Sequence, residues 1–166
     1  MSQVGNAIVK AQTEQVERFL GNVVNELNTF LNHATISSFL NEEAGGEEEY
    51  YEDLFRNLRR LSVYCEEGLE ACKIVLQNEP FRKPAAEKAL YKIYHQCIEE
   101  FYNPKNDVWY EDSRSAYTGK NAIKYRHAVP ATLQTMIASL ESGFQEIREE
   151  LEYYETDYRT KMIQSK

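Results

Sequence analysis

Between Glu47 and Asn78 the chain reads EEEYYEDLFRNLRRLSVYCEEGLEACKIVLQN. Its apolar or small residues recur three and four positions apart for about nine turns, a period that belongs to a helix with one covered face. Tyr51, Leu54, Leu58, Leu61, Cys65, Gly68, Cys72 and Val75 form that face. A stripe so long stays out of water only if partner helices lie along it, so the stretch predicts a bundle helix. Gly68 would cost about 1 kcal/mol against alanine in an exposed helix; inside the stripe it predicts close approach by a neighbour.

The flanking sequence supplies the partners. From Gln3 to His33 the residues Val16, Leu20, Val23, Leu27, Phe30 and Ala34 repeat the same spacing, and Phe19, Val24 and Leu31 widen the stripe toward a second neighbour. Thr35 is placed to cap a short helix from Ile36 to Glu43, because its hydroxyl can accept from the free amides of a first turn. Ala44, Gly45 and Gly46 break the chain before the central helix, and Pro80 ends that helix by disfavouring helical geometry in the residue before it. A third helix is predicted from Pro84 to Tyr102, with Ala86, Leu90, Ile93, Cys97 and Phe101 inward. The last runs from about Pro130 with Leu133, Ile137, Leu140, Phe144, Ile147, Leu151, Tyr154 and Tyr158 as its stripe. The expectation is an all-α, up-down four-helix bundle with long helices, a short extra helix, and an irregular or hairpin-bearing segment at one pole.

A chain of 166 residues suits one domain, 1–166, burying roughly 70% of the surface its unfolded form exposes. The three cysteines, Cys65, Cys72 and Cys97, each occupy a stripe position. Without C-x-x-C spacing or a histidine pair they read as reduced core fillers rather than disulfide or metal ligands. The start, MSQVGNAIVKAQTEQ, has no apolar core of a signal peptide, and no run approaches the roughly 18 apolar residues of a spanning helix. These features predict a cytoplasmic protein without a membrane segment.

A net charge of −8 and a pI near 5.0 argue against a general nucleic-acid or anionic-membrane binder, which needs a basic face. The charge is unevenly spread. Glu42, Glu43, Glu47, Glu48, Glu49, Glu52 and Asp53 form an acidic run that favours the start of the central helix through the helix dipole, and they lack the spacing of a calcium loop. In contrast, Ser113 to His127 carries Arg114, Lys120, Lys124 and Arg126 and no acid.

That basic stretch lies in a connection from Lys105 to Val129 that is too long for an ordinary loop, and such loops are often functional. Val108 to Glu111 and Ile123 to Tyr125 have strand-like content and predict a small hairpin. The segment also holds the single tryptophan. Trp109, Arg114, Tyr117, Lys120, Lys124, Arg126 and His127 are therefore the candidate ligand residues: arginines grip a phosphate in two places and aromatic rings stack on a base. The competing reading is structural. In an up-down bundle this segment and the acidic run share a pole, where they neutralise one another.

Chemistry of other kinds finds little support. TGKN lacks the spacing of a phosphate loop; there is no nucleophile elbow and no glycine-rich dinucleotide turn. His33, His95 and His127 have no glutamate three residues before them, which excludes the paired motif of a bundle metal centre. No catalytic residue, metal or cofactor is assigned, and an enzyme using His127 as acid or base ranks last.

The segments VKAQTEQVERFL, CEEGLEACKIVLQNEPFRK, IYHQCIEEF, WYEDSRSAYTG and REELEYYETDYRTKMIQSK together resemble the YpuI-like family of small uncharacterised helical proteins from Bacillus-type bacteria. The resemblance spans nearly the whole chain. It implies a bacterial cytosolic setting and carries over no activity, cofactor or catalytic residue. The leading expectation is a non-enzymatic protein-interaction or regulatory module, with a protein partner or itself as a homodimer. The alternative is a binder of a small phosphate-bearing ligand through 113–127.

Overall fold

The computed structural model describes residues 3–43, 45–112 and 122–164. The protein is predominantly helical with one two-stranded sheet. Its first helix, α1 (Gln3–His33), buries Val9, Val16 and Val23 on one row and Thr13, Leu20 and Leu27 on the next, a seven-residue repeat. The Thr13 hydroxyl donates to the Val9 carbonyl at 2.8 Å, which satisfies the one polar group on that face.

A short α2 (Ile36–Glu42) follows with the expected cap. The Thr35 hydroxyl accepts from the Ser38 amide, and the Ser38 hydroxyl accepts from the Thr35 amide, a reciprocal capping box. It places Phe39 in the core against Phe55 and Tyr51, with ring centroids 4.9 and 5.2 Å away. Gly45 then turns the chain at φ +90°, a conformation in which a side chain would be strained.

The central helix α3 (Glu48–Gln77) buries every residue of the predicted stripe, and adds Tyr50, Phe55, Asn57 and Ser62. At Gly68 an added Cβ would stand 3.0 Å from side-chain carbons of both Leu20 and Ile93, so two helices do close on that position. The next helix, α4 (Lys83–Ile93), starts one residue before Pro84 and passes into a π-helical turn, Tyr94–Ile98, then α5 (Glu99–Tyr102). The wider turn places Cys97 and Ile98 in the core together, ahead of Phe101 and Tyr102.

One expectation needs correcting. The last helix is not a continuous rod: α6 (Ala131–Glu150) ends and α7 (Glu152–Gln164) begins about Leu151, whose backbone sits at φ −99°, ψ 8°. The acids that follow suit a new helix start, because Glu152 and Glu155 fall in the first turn of α7, where acids stabilise. The stripe nevertheless continues inward through Leu151 and Tyr154.

Helix α1 packs on α3, α4 and α6, and α4 packs on α3 and α7. Their facing residues form one connected core, closed at one side by the aromatic stack Phe101–Phe144 at 4.0 Å and the edge contact Phe19–Phe144 at 4.9 Å. Between α5 and α6 the chain makes the hairpin that the residue pattern predicts. Strands β1 (Trp109–Glu111) and β2 (Ile123–Tyr125) run antiparallel, with Trp109 opposite Tyr125 and Glu111 opposite Ile123. Among the described residues no helix is long and apolar enough to cross a membrane.

Candidate functional site

The hairpin is held against the start of α3 by tyrosines. Tyr50 donates its hydroxyl to the Val108 carbonyl at 2.6 Å, and Tyr51 donates to the Ala128 carbonyl at 3.2 Å. Burial pushes the Tyr50 phenol up to about 12. The end of α2 reaches the same region, where the Thr132 hydroxyl donates to Glu42 at 3.0 Å. The acidic run and the exit of the hairpin therefore do share one end of the molecule.

Between them lies an open cleft of about 410 Å³. One wall is the first turns of α3, with Glu47, Glu49, Tyr50 and Asp53; the other is Asn106, Asp107 and Val108 with Arg126 and His127. The Arg126 guanidinium lies 3.0 Å from an Asp107 carboxylate oxygen and 4.2 Å above the Tyr110 ring. Asp107 itself stands at φ 53°, a left-handed conformation that aspartate tolerates better than most residues. His127 approaches Glu47 at 3.7 Å and meets the Tyr50 ring edge-on at 4.7 Å. Asp53 is bridged by Arg56 at 2.8 Å, while among the described residues Glu49 forms no ion pair.

Beneath the cleft, Arg60 donates to the Asn106 side chain at 2.6 Å and lies 3.4 Å from Glu100, a carboxylate only 3% exposed. Burial raises the Glu100 pKa, and Arg60 offsets part of that rise. This network fixes the 104–108 turn on the flank of α3.

The candidate ligand residues named from the sequence are distributed unevenly. Arg126 and His127 line the acidic cleft. Lys124 lines a different groove of about 500 Å³ between β2 and α6, with Gln134, Ile137 and Glu141. Trp109 is fully buried: its indole N–H donates to the Phe101 carbonyl at 2.6 Å and its ring meets Tyr125 edge-on. It serves as the hairpin's anchor in the core. Arg114, Tyr117 and Lys120 lie outside the described residues. His33 borders an apolar groove with Phe30 and Phe39, and among the described residues no three metal-ligating side chains are gathered.

A charged cluster that sequence reasoning did not single out stands at the other edge of the hairpin. Arg148 of α6 grips Glu111 of β1 through two hydrogen bonds, 2.9 and 2.6 Å, and lies 3.8 Å over the Tyr102 ring. Beside it Tyr94 and Ile98 of the π-turn, Asn103 and Glu155 enclose a recess of about 210 Å³. Within REELEYY, Arg148 looks like part of a solvated face, and nothing in its spacing signals burial.

These features define a helical scaffold whose hairpin carries one acidic cleft and one closed arginine clamp. The chain belongs to the family described as "Protein of unknown function (DUF3907)", whose pattern matches residues 13–160. It is 48% identical over 154 residues to "Uncharacterized protein YpuI" of Bacillus subtilis (strain 168), covering 93% of this chain and 86% of that protein. No solved structure is significantly similar.

Proposed function

We propose that this protein is a non-enzymatic interaction or regulatory module of the bacterial cytoplasm that offers its acidic cleft to a basic segment of a protein partner. The helices serve as scaffold in this reading, arranged as an up-down four-helix bundle in a single domain, with self-association to a homodimer as one mode of use. The observation that carries it is the charge balance of the cleft. Arg126, the cation that would receive an anion, already faces Asp107, and His127 lies against Glu47. Glu49 adds negative charge that no ion pair among the described residues offsets, and complementary charge governs which partner approaches such a surface.

The alternative, a small phosphate-bearing ligand held by the basic, aromatic segment 113–127, draws its support from the hairpin. Arg126 lies over Tyr110, and Lys124 is paired with Tyr110 across the strands. A titration of ¹⁵N-labelled protein separates the two. A short lysine–arginine peptide is expected to shift the amides of Glu47 to Asp53 and of Asn106 to Val108 saturably, and to lose that effect in the E47Q/E49Q/D53N variant. Saturable shifts confined to Lys124 and Arg126 on adding inorganic phosphate or a nucleotide would favour the alternative. No saturable response to either probe would overturn both.

A further inference from the structure

The three cysteines are all free and buried, yet they are not equivalent. Cys65 and Cys72 lie one heptad apart on α3, while Cys97 comes from the π-turn that packs against it. The Cys97 sulfur donates to the Tyr64 carbonyl at 3.2 Å, on the peptide unit that leads into Cys65. It also lies 3.4 Å from where a Cβ on Gly68 would stand, one turn beyond Cys65. Cys97 beside it and burial together raise the Cys65 pKa. Cys72 is pushed up to about 12 by burial.

Cys97 differs again in facing an opening. A narrow recess of about 50 Å³, lined by Gly68, Ala71, Ala89, Ile93 and Gln96 together with the charged pair Glu67 and Lys92, reaches the residue. Liquid water takes about 30 Å³ per molecule, so a molecule the size of a peroxide enters and a peptide thiol or disulfide does not. The small side chains at Gly68, Ala71 and Ala89 keep that path open.

We propose that Cys97 is a modification site for hydrogen peroxide or a similarly small peroxide, and that Cys65 resolves it as an internal disulfide between α3 and the π-turn. The Cys97 sulfur gives up its proton and attacks one peroxide oxygen; the O–O bond breaks, the departing hydroxide takes a proton to become water, and Cys97 is left as a sulfenic acid. The Cys65 sulfur then attacks the Cys97 sulfur, the S–O bond breaks, and the hydroxyl leaves with the Cys65 proton as a second water. Two thiols are oxidised by two electrons and one peroxide is reduced to two waters. The π-turn already departs from regular α-helical hydrogen bonding, so the sulfur can close to bonding distance by a local shift instead of unwinding a regular helix.

The test uses the wild-type chain, reduced, exposed to hydrogen peroxide under native conditions, alkylated and digested without reductant. The expected result is a linked peptide pair joining Cys65 to Cys97, one remaining free thiol, and reversal by dithiothreitol. The C65A variant should halt at a Cys97 sulfenic acid, trapped by dimedone when the oxidised protein is unfolded in its presence, and oxidised glutathione should give no link in the same time. A link to Cys72, over-oxidation of Cys97 without a link, or linkage only when urea is present would overturn the proposal. Because linkage is read on the wild-type protein, the conclusion does not depend on any variant folding.

Discussion

Arg148 and Arg126 use the same chemistry at the hairpin, an arginine on a carboxylate over a tyrosine ring, yet their surroundings differ. Arg148 and Glu111 are 21% and 17% exposed and are joined by two hydrogen bonds; Arg126 and Asp107 are 43% and 74% exposed and meet through one short contact. An exposed pair is worth about 0–1 kcal/mol because water and salt compete for both charges. A paired charge removed from water is costly to strip of its partner. The first contact therefore fastens the hairpin to α6, and the second is cheap to exchange. An interaction surface needs that combination of fixed frame and replaceable contacts.

Removing one half of the inner clamp should break the comparison most visibly. Arg148→Ala leaves Glu111 largely buried and alone, and the expected loss is about 3 kcal/mol. At roughly 2–4 °C per kcal/mol for a chain of this size, the melting temperature should fall by about 6–12 °C. A drop of less than a degree or two would place the clamp among surface ion pairs.

Trp109→Phe keeps most of the ring but deletes the N–H that satisfies the Phe101 carbonyl, at an expected cost of about 1–3 kcal/mol by denaturant unfolding. Tyr50→Phe, which leaves the Val108 carbonyl beside the cleft with the Arg126 amide as its remaining donor, should cost about 1 kcal/mol. Its amide-exchange effect should centre on Asn106 to Val108 rather than on the helices. Arg126→Ala should change stability by less than about 0.5 kcal/mol, and raising the salt should shrink even that difference while leaving the Arg148 effect in place. Equal salt responses for the two arginines would erase the distinction.

Glu100 gives the comparison a pH axis. Its pKa is raised in the folded chain, so the folded state holds a proton that the unfolded state gives up first. The resulting contribution is fully present below the unfolded value of about 4.3 and is lost as pH rises through the folded value. Stability of Glu100→Gln, measured across this range, should fall less with rising pH than that of the wild type. A parallel pair of curves would show that Arg60 fully compensates the buried carboxylate.

Several of these elements are legible in the sequence alone. The α3 stripe, the Thr35 cap, the close approach at Gly68 and both strands follow from local rules of period, capping and residue shape. The continuous last helix did not survive, because apolar spacing says nothing about the acids that favour a break at Leu151. Trp109, set among tyrosines and cations, resembles an exposed stacking platform, but a backbone carbonyl eight residues away satisfies its N–H and lets the ring go inside. Arg148 was illegible for a similar reason, since its partner stands 37 positions earlier in the chain.

By itself, then, the sequence determined the helical period, the covered faces and the turns. Those depend on neighbours within a turn or two of helix, where side-chain type dictates geometry. Only the tertiary structure decided which arginine is sheltered from water, which carboxylates line the open cleft, and which cysteine the π-turn brings to α3. Each of these is a matter of how much water and which distant charge or thiol surrounds a group, and residues far apart in the chain supply both.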